Sequence, residues 1–491
     1  MFKLFRKKEK TVEKSEDKQV EKLTETNKIQ SKSGKKEKCI ADVIEKSGWT
    51  KAQVEQHLKK TRKRLGITYS DYNKYDFWNI PEEEQEQRYS EIVARKEKRK
   101  RFREQCITLA MEKRGWTREE AETHLDDTKK RIGIGYLEYR RYYFFNIPEE
   151  EQAQRYSEIL ASKEARNNRH GNENHKFTSR IMEVTGWDKE EVNKKVKAAK
   201  EYAGATLKDY YAFKFWEIDE DEQKTYFTQK DSNKISAKYD TNELHRDILL
   251  NKELSCIHFS DFLKRPWCIN RNISFEEFKQ KFENEQKIVY KPLDGNGGLG
   301  ICIFTIDAEN MKETYEKIMG YSRGVVEAYV VQHANISKLA PNSVNTIRVV
   351  SVSSENEDSS HKQTDIAYVA MRIGSGKSCV DNFTDGGMVV GVDLENGEVV
   401  TDGVTIDGTT FERHPDTNTQ FRGFQIPFFK ETLEMVKEAG KTISGYIGWD
   451  IAITENGPVL IEANIMPGNR ILQMPYVKDR IGKRSVMERF L

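Results

Sequence analysis

The sequence lacks paired cysteines. Its six, at 39, 106, 256, 268, 302 and 379, include no CxxC spacing. That excludes a zinc ribbon and reads as reduced thiols rather than disulfides. It also lacks net charge: 82 Lys and Arg stand against 80 Asp and Glu, leaving +2 over 491 residues. Such a balance names no polyanionic partner, and nucleic acid is not an expected ligand. No run of about 18 apolar residues is present, so no transmembrane segment is expected. The start, MFKLFRKKEK, has no apolar stretch long enough for a secretory leader. These absences predict a cytoplasmic protein. Phe2, Leu4 and Phe5 beside Arg6, Lys7 and Lys8 leave contact with an anionic membrane surface open. The reading adopted for residues 1–36 is a disordered or frayed polar tail.

What is abundant is charge, at 33%, much of it before residue 240, and a repeat. GWTKAQVEQHLKKTRKRLGITYSDYNKYDFWNIPEEEQEQRYSEI recurs as GWTREEAETHLDDTKKRIGIGYLEYRRYYFFNIPEEEQAQRYSEI. A more diverged third copy carries GWDKEEV and DYYAFKFWEIDEDEQ. Trp49, Trp116 and Trp187 mark periods of 67 and 71 residues, long enough for three or four helices each. Thr50, Thr117 and Asp188, with Gln53, Glu120 and Glu191 three places on, predict capping boxes. Gly66, Gly133 and Gly204 predict helix C-termini, and Pro81 and Pro148 the first turns of the next helices. The aromatic sets Tyr72/Phe77/Trp78, Tyr139/Phe144/Phe145 and Tyr210/Phe215/Trp216 read as repeat cores, with a stacking surface as the alternative. Cys39 and Cys106 read as core as well. The basic run 95–103 reads as a solvated linker helix, with nucleic-acid binding as its alternative. The repeats are placed at 37–104, 105–171 and 172–230, as an all-α region separable from the rest of the chain.

Past a transition at 231–286 the pattern becomes β-rich with interspersed helices, an α+β signature. Strands are expected at Val325–Val331, Ile347–Val352, Asp365–Ile373, Met388–Asp393, Tyr446–Ile453 and Val459–Ala463. Helices are expected at Asn310–Met319 and Phe428–Ala439. Between two β runs lies KPLDGNGGLG, residues 291–300. Its glycines allow successive N–H groups to form an anion-binding concavity, and Lys291 stands at its mouth as a point charge suited to phosphate. Near the C-terminus, GWDIAITENGPVLIEANIMPGN predicts a hairpin turning at Asn456-Gly457. Positions symmetric about 456 then face each other, which sets Asp450 opposite Glu462, with Asn464 on the same face. Two opposed carboxylates need a counter-charge. A hard cation such as Mg²⁺ that also holds nucleotide phosphates would supply it. GSGKS at 374–378 is not a P-loop, because position 371 is Met and no helix pattern follows.

KPLDGNGGLG, VVEAYVVQH, SVNTIRVV, MRIGSGKSCVDNFTDGGM and GWDIAITENGPVLIEANIMPGN, in this order and spacing, resemble the ATP-grasp superfamily. The closer likeness is to the sugar-transfer-associated ATP-grasp proteins. It places an α+β ATP-grasp fold at 235–491, after the all-α helical repeats. The resemblance implies ATP and Mg²⁺ as cofactors. Lys291 and, earlier, Lys252 would hold the nucleotide phosphates beneath Gly295, Gly297 and Gly298. Glu327, Tyr329 and Val330 would form the hinge meeting adenine through backbone groups, and Gln332 would stand at the ribose position. Asp450, Glu462 and Asn464 would hold the metal. Arg348, Arg372 and Asn382 would face the γ-phosphate and an acyl-phosphate intermediate. The implied activity is an ATP-dependent carboxylate–amine ligase acting on small-molecule or glycan-linked carboxylates and amines, in cell-surface polysaccharide or glycopolymer modification. The helical repeats, standing where related ligases carry an open α/β domain, would take a protein partner. Two alternatives remain: an ATP-grasp kinase, and a scaffold with a regulatory or inactive nucleotide site.

Overall fold

A computed structural model describes residues 34–271, 273–293, 300–354, 363–376, 381, 383 and 386–491. The expected N-terminal tail lies almost wholly outside them. Two compact units divide at Leu125 and Asp126.

Each repeat copy folds by the same local rules. The first has a helix at 34–47, then Lys51–Leu65, Tyr69–Lys74, a 3₁₀ turn Phe77–Asn79 and the long helix Gln85–Arg114. Thr50 and Gln53 make the full reciprocal capping box. Thr117 and Glu120 exchange the same bonds, while at Asp188 only the cap-to-Glu191 bond is present. Gly66, Gly133 and Gly204 take the left-handed conformation at φ 67°, 71° and 72°, which glycine reaches without a Cβ penalty. Pro148 caps helix Glu149–Thr185. Pro81 instead heads a turn, and its helix starts later, at Gln85.

One feature of the repeats escaped sequence reading. A buried glutamine at the end of each IPEEEQ or IDEDEQ stretch latches the 3₁₀ turn before it. Gln85 Nε2 donates to the carbonyls of Phe77 and Ile80 at 3.1 and 2.8 Å. Gln152 does so to Phe144 and Ile147 at 3.2 and 2.9 Å, and Gln223 to Phe215 and Ile218 at 2.8 and 3.0 Å. In the first unit Cys39, Val54, Leu58, Tyr72, Phe77 and Ile92 form one core. Tyr139, Phe144, Tyr210 and Phe215 are likewise buried, so the aromatics are core residues. The basic run lies on the exposed part of helix Gln85–Arg114.

The second unit holds two antiparallel sheets. The smaller contains β1 (Trp267–Ile269), β2 (Lys287–Pro292), β3 (Cys302–Thr305) and β4 (Gly324–Ala328), in the order β1-β4-β2-β3. Helices Phe275–Phe282 and Met311–Met319 pack on it. The larger contains β5 (Thr346–Ser353), β6 (Thr364–Ile373), β7 (Met388–Gly391), β8 (Gly403–Val404), β9 (Thr410–Phe411), β10 (Gly445–Thr454) and β11 (Gly457–Ile465), in the order β11-β10-β5-β6-β7-β8-β9. The short strands β1, β8 and β9 carry no alternation long enough to read from sequence. The large sheet is buried on both faces, which is why its strands read as continuous apolar runs. Ile347, Val349, Ile451 and Ile453 meet helix Phe429–Gly440 on one side. Val350, Val352, Tyr368 and Tyr446 meet Tyr210, Phe213, Phe215, Tyr226 and Phe227 on the other.

That second core corrects the expected separability of the repeats. The third copy is the outer layer of the large sheet. Polar ties reinforce it: Asn469 Nδ2 donates to Asp209 Oδ1 at 2.8 Å, and Arg484 Nε to Asp231 Oδ2 at 3.0 Å. The end of the second copy is joined to the transition segment in the same way. Arg140 is buried against Asp247 at 2.7 Å and Glu243 at 2.8 Å.

Candidate functional site

The site is built on the β10–β11 hairpin. The two-residue turn is Glu455-Asn456, with Thr454 paired to Gly457. Gly457 takes φ 103°. A turn centred there would set Asp450 opposite Ile461. The register shifts, however, between Asp450 and Ile451. Ile451 pairs with Leu460 and Asp450 with Glu462, so Ile461 is an extra residue in β11. A bulge of this kind re-aims the residues beyond it. The expected Asp450–Glu462 opposition is present, but the bulge produces it rather than a turn at Asn456-Gly457.

Charge balance at Asp450 differs from expectation. Asp450 is buried, and Arg348 from β5 grips it with Nε to Oδ1 at 2.5 Å and Nη2 to Oδ2 at 2.9 Å. Arg372 from β6 adds Nη1 to Oδ2 at 3.0 Å, and Asn464 Nδ2 donates to Oδ2 at 3.2 Å. Burial pushes the Asp450 carboxyl up, but the two guanidiniums outweigh it and hold it below the ordinary aspartate range. The carboxylate pair is therefore not strained for want of a metal: arginines compensate Asp450. Glu462 is half-buried with Lys252 Nζ at 3.7 Å. Arg372 extends the network to Asp381 at 3.0 Å. Asp381 in turn accepts from the Thr346 N–H at 2.9 Å and from its hydroxyl. Burial raises the Asp381 carboxyl, with Arg372 opposing.

The small sheet faces this network with a second charged cluster. Lys291, near the end of β2, pairs with buried Glu327 of β4. Arg265 donates to Glu327 at 2.8 Å and to the Leu460 carbonyl of β11 at 2.7 Å, tying the two sheets together. Burial pushes the Glu327 carboxyl up, but Arg265 and Lys291 bring it below the ordinary range. Cys256 lies in the same electrostatic neighbourhood, its thiol pushed up to about 12 by burial. Helix Lys252–His258 lies against both β4 and β11, with Lys252 at its first turn. Lysines thus stand over carboxylates in a cleft between two antiparallel sheets.

Residues 269–485 match the family described as sugar-transfer associated ATP-grasp. This part of the chain is an ATP-grasp domain. No curated protein matches the chain. Among solved structures it resembles a D-alanine–D-alanine ligase from Bacillus anthracis, at 14% identity over 51% of this chain and 68% of that one, TM-score 0.30. It also resembles a RimK domain ATP-grasp protein from Sphaerobacter thermophilus, at 12% identity over 49% and 69%, TM-score 0.28. A third is N5-carboxyaminoimidazole synthetase from Staphylococcus aureus complexed with ADP, at 10% identity over 47% and 48%, TM-score 0.30. The chain thus spans between about half and about two thirds of these proteins.

Within the ATP-grasp domain the expected residues fall into three groups. Lys252, Lys291, Arg348, Arg372, Asp450, Glu462 and Asn464 come together as described. Gly295, Gly297, Gly298 and Asn382 lie outside the described residues, as do Lys377 and Ser378 of the rejected P-loop. Glu327 and Gln332 are placed differently from expectation. Glu327 sits in β4, flanked by β1 and β2, with its side chain paired to Arg265 and Lys291. The Tyr329 N–H is used by the Lys287 carbonyl at 3.0 Å. Val330 packs with Ala452 and Val459, and Val331 is 72% exposed. Gln332 is buried and spends its amide on the 340–345 loop. Nε2 donates to Ala340 and Ser343 carbonyls at 3.1 and 2.7 Å, and Oε1 accepts twice from Asn345 at 3.0 and 3.1 Å. With two donors and two acceptor sites taken, it has no capacity left for a ribose. Arg265, Asp381 and Thr346 were missed. Asp381 and Thr346 lie within two of the motif stretches, MRIGSGKSCVDNFTDGGM and SVNTIRVV, whereas Arg265 carried no signal.

Among the described residues, no group of three or more His, Cys, Asp or Glu is gathered for a metal. The oxygen donors at 450, 462 and 464 nevertheless fit a hard cation. Among the described residues, Asp450 Oδ1 accepts only the bond from Arg348 Nε, which leaves a lone pair.

Proposed function

We propose that this protein is an ATP-dependent carboxylate–amine ligase working through an acyl phosphate, on small-molecule or glycan-linked substrates of cell-surface polysaccharide or glycopolymer modification. The observation that carries this reading is the arginine-held Asp450 beside Glu462 and Lys252, across the cleft from Lys291. A substrate carboxylate oxygen attacks the γ-phosphorus of ATP, and the bond to the ADP oxygen breaks. An amine then adds to the acyl carbon, phosphate leaves, and the amine loses a proton. Charge on the transferring group is what a protein must neutralise in such chemistry, largely through positioned cations. Lys291 and Lys252 serve the phosphates, and Arg348 and Arg372 the reacting end. Asp450 and Asp381 hold those arginines in place. Magnesium bound at Glu462, the Asn464 amide oxygen and Asp450 Oδ1 would supply further charge neutralisation. Gln332 supports the loop beneath.

The test is incubation with ATP, Mg²⁺ and a panel of uronates and amino acids in the presence of hydroxylamine. Carboxylate-dependent ADP release with hydroxamate formation is expected. ADP release with a phosphate ester and no hydroxamate would make the protein a kinase. Absence of any substrate-dependent turnover in a protein that binds ATP would favour the scaffold reading.

A further inference from the structure

A second polar cavity lies away from the cleft, where helix Glu149–Thr185 meets the small sheet. It encloses about 200 Å³ and is lined on the helix side by Glu151, Gln154, Arg155 and Glu158, and on the sheet side by Arg271 and Arg323. Arg323 is nine-tenths buried. Glu253 holds its Nε and Nη2 at 3.0 and 2.9 Å, but Nη1 is buried with no hydrogen-bond partner among the described residues. An orphaned guanidinium donor of this kind is costly unless something accepts from it. Arg271 donates to the carbonyls of Met319 and of Tyr321, the latter at 2.7 Å, and among the described residues faces no carboxylate at ion-pair distance. Arg155 is balanced by Glu158 at 3.2 Å. The sheet side of the wall therefore offers the charge of Arg271 and the unmet donor of Arg323. The helix side offers the acceptors of Glu151 and Gln154.

We propose that this cavity binds a small oxyanion, a phosphate or carboxylate whose far end donates hydrogen bonds through hydroxyl groups. Two guanidiniums take the oxyanion, since arginine's fixed fork matches either head group. Glu151 and Gln154 take the hydroxyls. Glu253, which holds Arg323, is the chain neighbour of Lys252, and Lys252 pairs with Glu462. The site is independent of whether the cleft performs ligation.

The experiment is a set of thermal melts of the full chain at fixed ionic strength, titrated with inorganic phosphate, glycerol 3-phosphate and malate. It is repeated for Arg271→Gln, Glu158→Gln and Lys291→Ala. Glycerol 3-phosphate or malate should stabilise the wild type, and which of them does so identifies the head group. Lys291→Ala, which weakens phosphate binding in the cleft, should leave that stabilisation intact. Arg271→Gln should weaken apparent affinity about tenfold, as expected for loss of one charge-assisted contact. Glu158→Gln, on the helix surface, should tighten it by removing a repelling carboxylate, and it keeps the test decisive if Arg271→Gln folds poorly. Stabilisation that vanishes in Lys291→Ala while persisting in Arg271→Gln would place the anion in the cleft and overturn the proposal. So would the absence of stabilisation by any of the three probes.

Discussion

Replacing Asp450 by asparagine would leave Arg348 and Arg372 facing a neutral amide where water is largely excluded. Removing one partner of a buried ion pair typically costs about 3–5 kcal/mol, so Asp450→Asn should lower stability on that scale in a urea melt. Glu462→Gln should differ sharply. Its partner Lys252 is 3.7 Å away and Glu462 is half-exposed, so apo stability should shift by no more than about 0.5 kcal/mol. Turnover should nevertheless be lost if Glu462 holds magnesium. Equal destabilisation by both would mean that the network has no such asymmetry. Lys291→Ala should weaken ATP binding roughly tenfold to a hundredfold, read by calorimetry, in a protein that stays folded because Arg265 still pairs Glu327. Glu327 also gives a pH signature. Its carboxyl lies below the ordinary 4.5 on folding. A depressed carboxylate contributes stability above its unfolded value and loses it as pH falls through the folded one. Glu327→Gln should flatten that part of the acid limb below about pH 4.5 relative to wild type. An unchanged acid limb would reject the assignment.

At the scale of elements, the glutamine latch of the repeats and the bulge of β11 do comparable work. Each fixes a local geometry that apolar packing alone leaves loose. Gln223→Ala would strip the Phe215 and Ile218 carbonyls of their donor. Unmet buried polar groups cost about 1–3 kcal/mol, and the loss should appear as a lower denaturation midpoint at unchanged slope. The latch was present in the sequence as the last letter of PEEEQ and DEDEQ, but helical periodicity gives no reason to bury a glutamine. The strand ranges were legible within a few residues because large-sheet strands are apolar on both faces. The bulge was not, since nothing in Leu460-Ile461-Glu462 distinguishes an unpaired residue from a paired one.

For the whole molecule, the shared core of the third repeat and the large sheet decides how the chain can be cut. A fragment ending near residue 230 would expose Tyr210, Phe213, Phe215, Tyr226 and Phe227, the side chains that cover Val350, Val352, Tyr368 and Tyr446. Exposed apolar area of that kind is a folding and aggregation liability. Limited proteolysis of such a fragment should cut within the third copy, whereas the same sites should resist in the full chain. Equal resistance in both would restore the third copy as an independent unit.

The sequence alone determined the elements: capped helices, left-handed glycines and apolar strands. These follow from propensity, periodicity and side-chain type, all local properties. Only the tertiary structure decided which charges neutralise which. Arg348 and Arg372 reach Asp450 because β5, β6 and β10 are sheet neighbours. Arg265 reaches Glu327 because the two sheets meet. The third repeat packs with the large sheet because its aromatics are the cover for a sheet face more than a hundred residues away. Long-range pairing of this kind is set by which surfaces bury each other, a property no single segment carries.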